Sequence, residues 1–230
     1  MSGNIMKTIT FSYDDGVTQD QRLVDLLNKY DLKGTFNLNS ALGGKCSLNN
    51  YQGVSYTHAR FQPEEFPRVY AGHEVAVHTL THPHLNKLSD DDIIREVEQD
   101  RLALSDVMGY EVVGMAYPYG DNAVDARVTE LIRTHTGVRY SRLTGCTHDF
   151  EPQSDLLAFR PSVFHCDMDR LFELGRAFVE LEPDTPKLFY IWGHAYEFDM
   201  HNLWDRFEEF LKLIAHRDDI RYCTNAEALL

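Results

Sequence analysis

Lys7-Thr8-Ile9-Thr10-Phe11-Ser12-Tyr13-Asp14-Asp15-Gly16 is an apolar run of β-branched and aromatic residues that ends in two carboxylates and a glycine. Residues 7–13 read as a strand, and the acids fall just past its carboxyl end. A helix over 21–30 and a strand over 34–38 follow, and strand–helix alternation then runs through the chain, as parallel β/α units require. Further strands are expected at 74–77, 112–117, 137–141, 157–159, 188–192 and 220–223. Helices are expected at 63–70, 89–109, 123–134, 168–181 and 203–216. In the clearest of them Ser89 and Asp92 form a capping pair, Ile93, Ile94, Val97, Leu102, Leu104 and Val107 supply the apolar face, and Gly109 closes the end. Residues 40–60 carry Gly43-Gly44, Asn49-Asn50 and Gly53 without apolar periodicity and read as a surface excursion of the kind that borders a site.

Seven or eight strands in this alternation fit either an open sheet or a β/α barrel. The polar motifs decide between them, because they fall at the carboxyl ends of several different strands, where β/α barrels assemble their sites. The fold class expected is therefore α/β: a (β/α) barrel, complete or incomplete, of about seven parallel strands. One domain is expected over residues 1–230, with residues 1–6 as a short N-terminal extension.

Composition narrows the partners. Lys plus Arg number 22 against 36 Asp plus Glu, a formal charge of -14, and no basic block follows a phosphate backbone, so nucleic acid is not an expected partner. No run of about 18 uncharged apolar residues is present, so no membrane insertion is expected. Cys46, Cys146, Cys166 and Cys223 are scattered without a C-x-x-C pair and read as buried free thiols. With no long apolar stretch in Met1-Ser2-Gly3-Asn4-Ile5-Met6, the expected compartment is the cytoplasm. The sequence carries no signal for an oligomeric state.

Three motifs carry chemistry. Asp14-Asp15 places like charges side by side, which suits a metal ligand next to a general base, though Asp-Asp-Gly also makes a plain turn. His78-Thr79-Leu80-Thr81-His82 sets two imidazoles four residues apart, on one side of a helical turn, and imidazoles bind zinc-like ions at about 2.0–2.1 Å. With eleven histidines in the chain, that spacing also arises by chance, and His84, beyond Pro83, reads as a bystander. Phe189-Tyr190-Ile191-Trp192-Gly193-His194 ends a strand in a histidine that can protonate a leaving amine or simply cap the strand, and Trp192 reads as core.

The succession Ser12-Tyr13-Asp14-Asp15-Gly16, His78-Thr79-Leu80-Thr81-His82, Ala116-Tyr117-Pro118-Tyr119-Gly120 and Gly193-His194 resembles the NodB-homology polysaccharide deacetylases, carbohydrate esterase family 4. The likeness runs from about Thr8 to His194. It implies a distorted (β/α) barrel, with Asp14 as catalytic base, Asp15, His78 and His82 as ligands of one divalent metal, and Thr79 steadying their loop. It also implies that the Tyr119 backbone N–H stabilises an oxyanion and that His194 is the general acid. Zinc is the first choice of ion, and cobalt, manganese or iron suit the same ligands. The substrate implied is an acetylated saccharide, deacetylated at nitrogen or oxygen. Two features depart from the family: Ala116 stands where an arginine usually holds the catalytic aspartate, and no Asp-Trp pair precedes the late strand. Arg160, in Phe159-Arg160-Pro161, is the expected replacement for that arginine. A small-amide hydrolase on the same scaffold and a non-catalytic saccharide-binding protein are the alternatives.

Overall fold

Even and odd positions of the first strand do different work, and this sets the architecture. In the computed structural model, which describes residues 6–230, strand β1 spans Lys7–Asp14. Ile9, Phe11 and Tyr13 are fully buried on the helix side, where Phe11 and Tyr13 meet the rings of Phe207 and Phe198. Thr10, Ser12 and Asp14 turn the other way, into the barrel, and all three are buried and polar. A strand covered on both faces needs apolar residues only where helices lie against it.

The elements follow in order: α1 Asp20–Lys29, β2 Thr35–Leu38, β3 Cys46–Tyr51, β4 Val54–Ala59, α2 Phe66–Val69, β5 Glu74–Val77, α3 Asp90–Ile94, α4 Asp100–Met108, β6 Gly114–Ala116, α5 Ala126–His135 and β7 Tyr140–Arg142. After these come β8 Val163–Phe164, α6 Met168–Glu180, β9 Lys187–Gly193, α7 Tyr196–His201, α8 Trp204–Ile214, β10 Ile220–Tyr222 and α9 Asn225–Leu229. The main sheet runs β7-β6-β5-β2-β1-β9-β8, with every paired neighbour parallel, and β10 pairs with the first half of β1.

The sheet curls until its two ends nearly meet. Phe159 N–H donates to Ser141 O at 3.0 Å and Leu143 N–H to Phe159 O at 2.8 Å, so the segment entering β8 touches β7 before it pairs with β9. One bridge rather than a full ladder closes the ring, which makes the barrel distorted and incomplete. At its amino end the lumen is filled by a polar network: Asn225, at the start of α9, bonds Thr10, Tyr190 and Thr35, and Thr35 passes the chain to Glu74 and Tyr140.

Local departures from the sequence expectations have physical reasons. The excursion at 40–60 contains an antiparallel hairpin, β3 paired with β4 from Cys46↔Ala59 to Tyr51↔Val54. Most of its side chains are exposed, so no apolar alternation marked it. The strand expected at 157–159 is instead a single 3-10 turn, Leu156–Ala158, and the missed strand β8 has only two residues. The expected long helix is interrupted by a π turn, Arg95–Gln99, between α3 and α4. All four thiols are free, but only Cys223 is buried, and Cys46 is exposed. Among the described residues no helix is long and apolar enough to cross a membrane.

Candidate active site

The two adjacent acids at the end of β1 part company through the backbone. Asp15 adopts φ 85°, a left-handed conformation uncommon for a residue with a Cβ, and this turns its side chain away from the strand's alternation. Asp14 stays in register and points into the lumen. Its carboxylate accepts from Asn37 Nδ2 at 2.8 Å and from Arg142 Nη2 at 2.6 and 2.5 Å to its two oxygens. Arg142 ends β7, four strands away from β1 in the sheet, so this ion pair crosses the barrel. Both side chains are buried, at 0% and 3% exposure. Burial alone would raise the Asp14 pKa, but the Arg142 charge, followed by those of His78 and His194, outweighs it and holds the carboxyl below its ordinary value.

Arg142 is also held on its own account: Nε donates to Ser12 Oγ at 3.2 Å, Nη1 to Leu143 O at 3.1 Å, and its guanidinium lies 4.5 Å from the Trp192 ring centroid. It stands where Arg160 was expected. Arg160 instead forms an exposed ion pair with Asp121 at 2.5 Å and lies at the Gly145 loop, away from Asp14. Arg160 follows the closing bridge at Phe159 outward, whereas Arg142 ends a strand whose alternation points inward.

His78 and His82 lie on an irregular loop rather than one helical turn, with Thr79 at φ 66° and His82 at φ 59°. Several contacts hold this shape. Thr79 Oγ1 accepts from His82 N at 3.1 Å, and Asn39 donates to the carbonyl oxygens of His78 and Thr79. Asp100 accepts from His78 N at 3.2 Å, and Glu96, inside the π turn, accepts from Thr81 N and Oγ1, both at 2.9 Å. The π turn thus aims Glu96 at the loop, and α4, which follows it, begins with Asp100 aimed there too, a use such irregularities often serve.

His78 Nδ1 lies 2.8 Å from Ala116 O, so the ring donates there and leaves Nε2 as a lone-pair donor. Burial lowers the pKa of both imidazoles, that of His82 to about 4, so both are neutral. One ligand atom each from Asp15, His78 and His82 lies within 4.8 Å of the other two. This donor set of one carboxylate oxygen and two neutral nitrogens fits a divalent ion with open positions left over.

His194 follows β9 on the opposite wall, with Nε2 3.9 Å from Asp14 Oδ2. The function of an orienting acid is met by Glu197, three residues on, whose Oε2 accepts from His194 N at 3.0 Å and faces His194 Nδ1 at 3.1 Å and His165 Nε2 at 2.9 Å. Burial opposes charge on His194, but Glu197 first, then Asp14 and Asp15, raise its pKa to about 9. The two ionisable partners are therefore pushed apart: a carboxylate held charged beside an imidazole held protonated.

A cavity of about 550 Å³ collects Asp14, Asp15, His78, His82, Tyr119 and His194, and Trp192, Phe164 and Tyr196 also line it. Trp192 is thus both buried, at 8% exposure, and part of the wall. Tyr119 sits at φ 59°, and its N–H has no protein acceptor among the described residues. Its ring stacks on His84 at 3.8 Å, so His84 supports the rim. Three groups escaped the sequence reading. Arg142 is a charge ending a strand, as Asp14 is, but a strand of only three residues; Glu197 sits three residues from His194; and Tyr56, His58 and Arg60 alternate along one edge of the hairpin.

Comparison with known proteins places this fold in a family. The family described as polysaccharide deacetylase matches residues 3–140. A chitin deacetylase of Colletotrichum lindemuthianum is 32% identical over 113 residues, 48% of this chain, and the chain spans 41% of that protein's length. Among solved structures, a family 4 carbohydrate esterase from Streptomyces lividans in complex with acetate superposes with TM-score 0.57 and 16% identity, covering 96% of this chain and 93% of that one. A CE4 family pseudoenzyme from Bacillus anthracis gives TM-score 0.59 at 15% identity, covering 99% and 67%. With the match spanning both the Asp14-Asp15 turn and the His78–His82 loop, the chain belongs to the polysaccharide deacetylase family.

Proposed function

We propose that this protein is a metal-dependent deacetylase that hydrolyses the acetyl group of an N-acetylated saccharide, with O-acetyl groups as the second substrate class. The observation that carries the reading is the pairing of Asp14, kept ionised by Arg142, with His194, kept protonated by Glu197, in the cavity that also holds the Asp15/His78/His82 cluster.

Asp15, His78 and His82 would hold a divalent ion, zinc first and cobalt, manganese or iron as substitutes, which when bound would supply Lewis acidity toward a carbonyl oxygen and lower the pKa of water toward about 7. The protein supplies the rest. Asp14 takes the proton of the attacking water, and its bond to Arg142 keeps it anionic to do so. The unpaired Tyr119 N–H donates to the developing oxyanion, an interaction whose loss typically costs a hundredfold or more in rate. His194 gives its proton to the leaving nitrogen, and Glu197 holds the ring facing Asp14. Trp192, Phe164 and Tyr196 form the apolar wall that excludes water from the acetyl methyl.

The test is acetate release from a panel of N- and O-acetylated saccharides by metal-loaded protein, with His82→Ala alongside. Release that vanishes in His82→Ala is expected and names the substrate class. Silence across the panel with metal bound stoichiometrically rejects the reading in favour of a small-amide hydrolase or a saccharide-binding protein.

A further inference from the structure

The hairpin β3–β4 reaches over the site, and both of its innermost polar side chains end on the same carboxylate. Arg60 Nη2 donates to Asp15 Oδ1 at 2.9 Å, and Arg60 Nε donates to the Asp15 backbone oxygen at 3.0 Å. His58 Nε2 faces Asp15 Oδ2 at 3.3 Å. Arg60 Nη1 lies 3.5 Å from His58 Nδ1, so the guanidinium donates there and leaves His58 Nε2 as the N–H that meets Asp15. Both oxygens of one proposed metal ligand are therefore engaged from a single strand edge, by side chains only 14% exposed.

The hairpin is firmly attached where this matters. Thr18 N donates to Ala59 O at 2.7 Å, Phe61 N to Gly16 O at 3.0 Å, and Val17 bridges Arg60, so the end of the hairpin is stitched to the turn that carries Asp15. Tyr56, on the same edge, stacks on Tyr196 of the cavity wall at 5.4 Å and 10°. At the hairpin tip Leu48, Tyr51 and Val54 are exposed, and Tyr51 meets the His201 ring edge-on at 5.3 Å.

The two contacts differ chemically. Oδ1 is the oxygen nearer His82 Nε2, at 3.8 Å, and hence the one that faces the ligand cluster. A full positive charge on that oxygen draws electron density from it and repels a divalent ion, while an imidazole N–H on the other oxygen fixes the carboxylate plane at little cost in charge. We infer that Arg60 and His58 are positioning residues of the metal centre, with His58 orienting Asp15 for binding and Arg60 weakening it as a donor so that a bound ion keeps high Lewis acidity. The inference rests on the metal reading above and extends it to the hairpin.

The experiment measures the Kd of zinc ion for the EDTA-stripped protein by competition with a chromophoric chelator, and kcat and KM for acetate release. Arg60→Met is expected to bind zinc roughly tenfold more tightly while kcat falls about as much and KM holds, on the scale usual for groups that contact metal ligands. His58→Ala is expected to bind zinc roughly tenfold more weakly. A purely structural role for Arg60 predicts weaker binding, so the opposite signs are the diagnostic. Weaker binding by Arg60→Met, or a Kd within twofold of wild type in either variant, overturns the inference. If Arg60→Met does not fold, Arg60→Gln carries the same expected sign. Failure of the wild type itself to bind zinc, cobalt, manganese or iron overturns the metal reading and this inference with it, a result distinct from normal binding with unaffected variants.

Discussion

Replacing Arg142 with methionine tests the central claim about Asp14. The substitution keeps much of the side-chain volume and removes the charge that crosses the barrel to a carboxylate 3% exposed. Breaking a buried pair by deleting one partner typically costs about 3–5 kcal/mol. The cost here has a ceiling, because Asp14 can escape by taking a proton. At pH 7, protonating an aspartate whose unfolded pKa is about 3.9 costs roughly 4 kcal/mol, at 1.36 kcal/mol per unit. In the wild type the folded Asp14 pKa is depressed, so its contribution is present above the unfolded pKa and is lost as pH falls through the folded one. In Arg142→Met burial is no longer opposed by Arg142, the sign reverses, and the deficit should shrink by up to about 1.4 kcal/mol for each pH unit below 7. Urea denaturation of EDTA-treated wild type and variant at pH 7, 6, 5 and 4 measures this directly. The acid limb of the variant's activity should also move to higher pH. A deficit that stays constant across the series, or an acid limb that does not move, would refute the assignment of Arg142 as the group that keeps Asp14 charged.

Other substitutions separate the remaining roles. Asp14→Asn should bind zinc within a few-fold of wild type in a chelator titration but lose about 10²–10⁴ in kcat, and loss of zinc binding would overturn the split between the two aspartates. Glu197→Gln removes the largest influence raising the His194 pKa, which stands at about 9; since the protonated ring is the working form and is lost as pH rises, the alkaline limb of kcat should move down toward 6.5, and an unmoved limb rejects His194 as the acid. Arg160→Ala breaks only an exposed pair with Asp121 and should change stability by less than about 1 kcal/mol in thermal melts and kcat by less than about threefold, so a large loss of turnover would return Arg160 to the site.

The parts of the site legible in the sequence are those fixed by strand ends. Asp14, His78 and His194 each follow an apolar run, and a parallel strand that stops in a barrel delivers its next residues to one rim. Asp15 and His82 were legible only by spacing, since both depend on left-handed backbone that no apolar pattern announces. Arg142 was hidden for another reason. Its strand has three residues, too few for period-2 alternation to say which face is the lumen, so Arg160, beside a proline in a segment resembling a strand, drew the assignment. The hairpin was hidden because its side chains are largely solvated, leaving no hydrophobic signal on β3 and β4 while His58 and Arg60 still turn inward.

The two adjacent acids also explain why the centre needs two arginines. Asp14 and Asp15 are both buried, at 2% and 6% exposure, and burial alone would drive each toward its neutral form. A single shared cation would leave their roles interchangeable. The fold instead gives each its own: Arg142 from β7 inside the barrel to Asp14, and Arg60 from beyond the end of β4 to Asp15. The backbone turn at Asp15 makes this possible by sending neighbouring side chains in different directions. Besides Arg142, Asn37 Nδ2 donates to Asp14 at 2.8 Å, so that carboxylate stays fixed and anionic, as its proposed role of base requires. At Asp15 burial is outweighed first by the His58 hydrogen bond, which helps hold the carboxyl well below its ordinary value, and Arg60 sits on the oxygen nearer His82, restraining it as the proposed metal ligand. The division of labour proposed for these two aspartates thus follows from which partners each one meets.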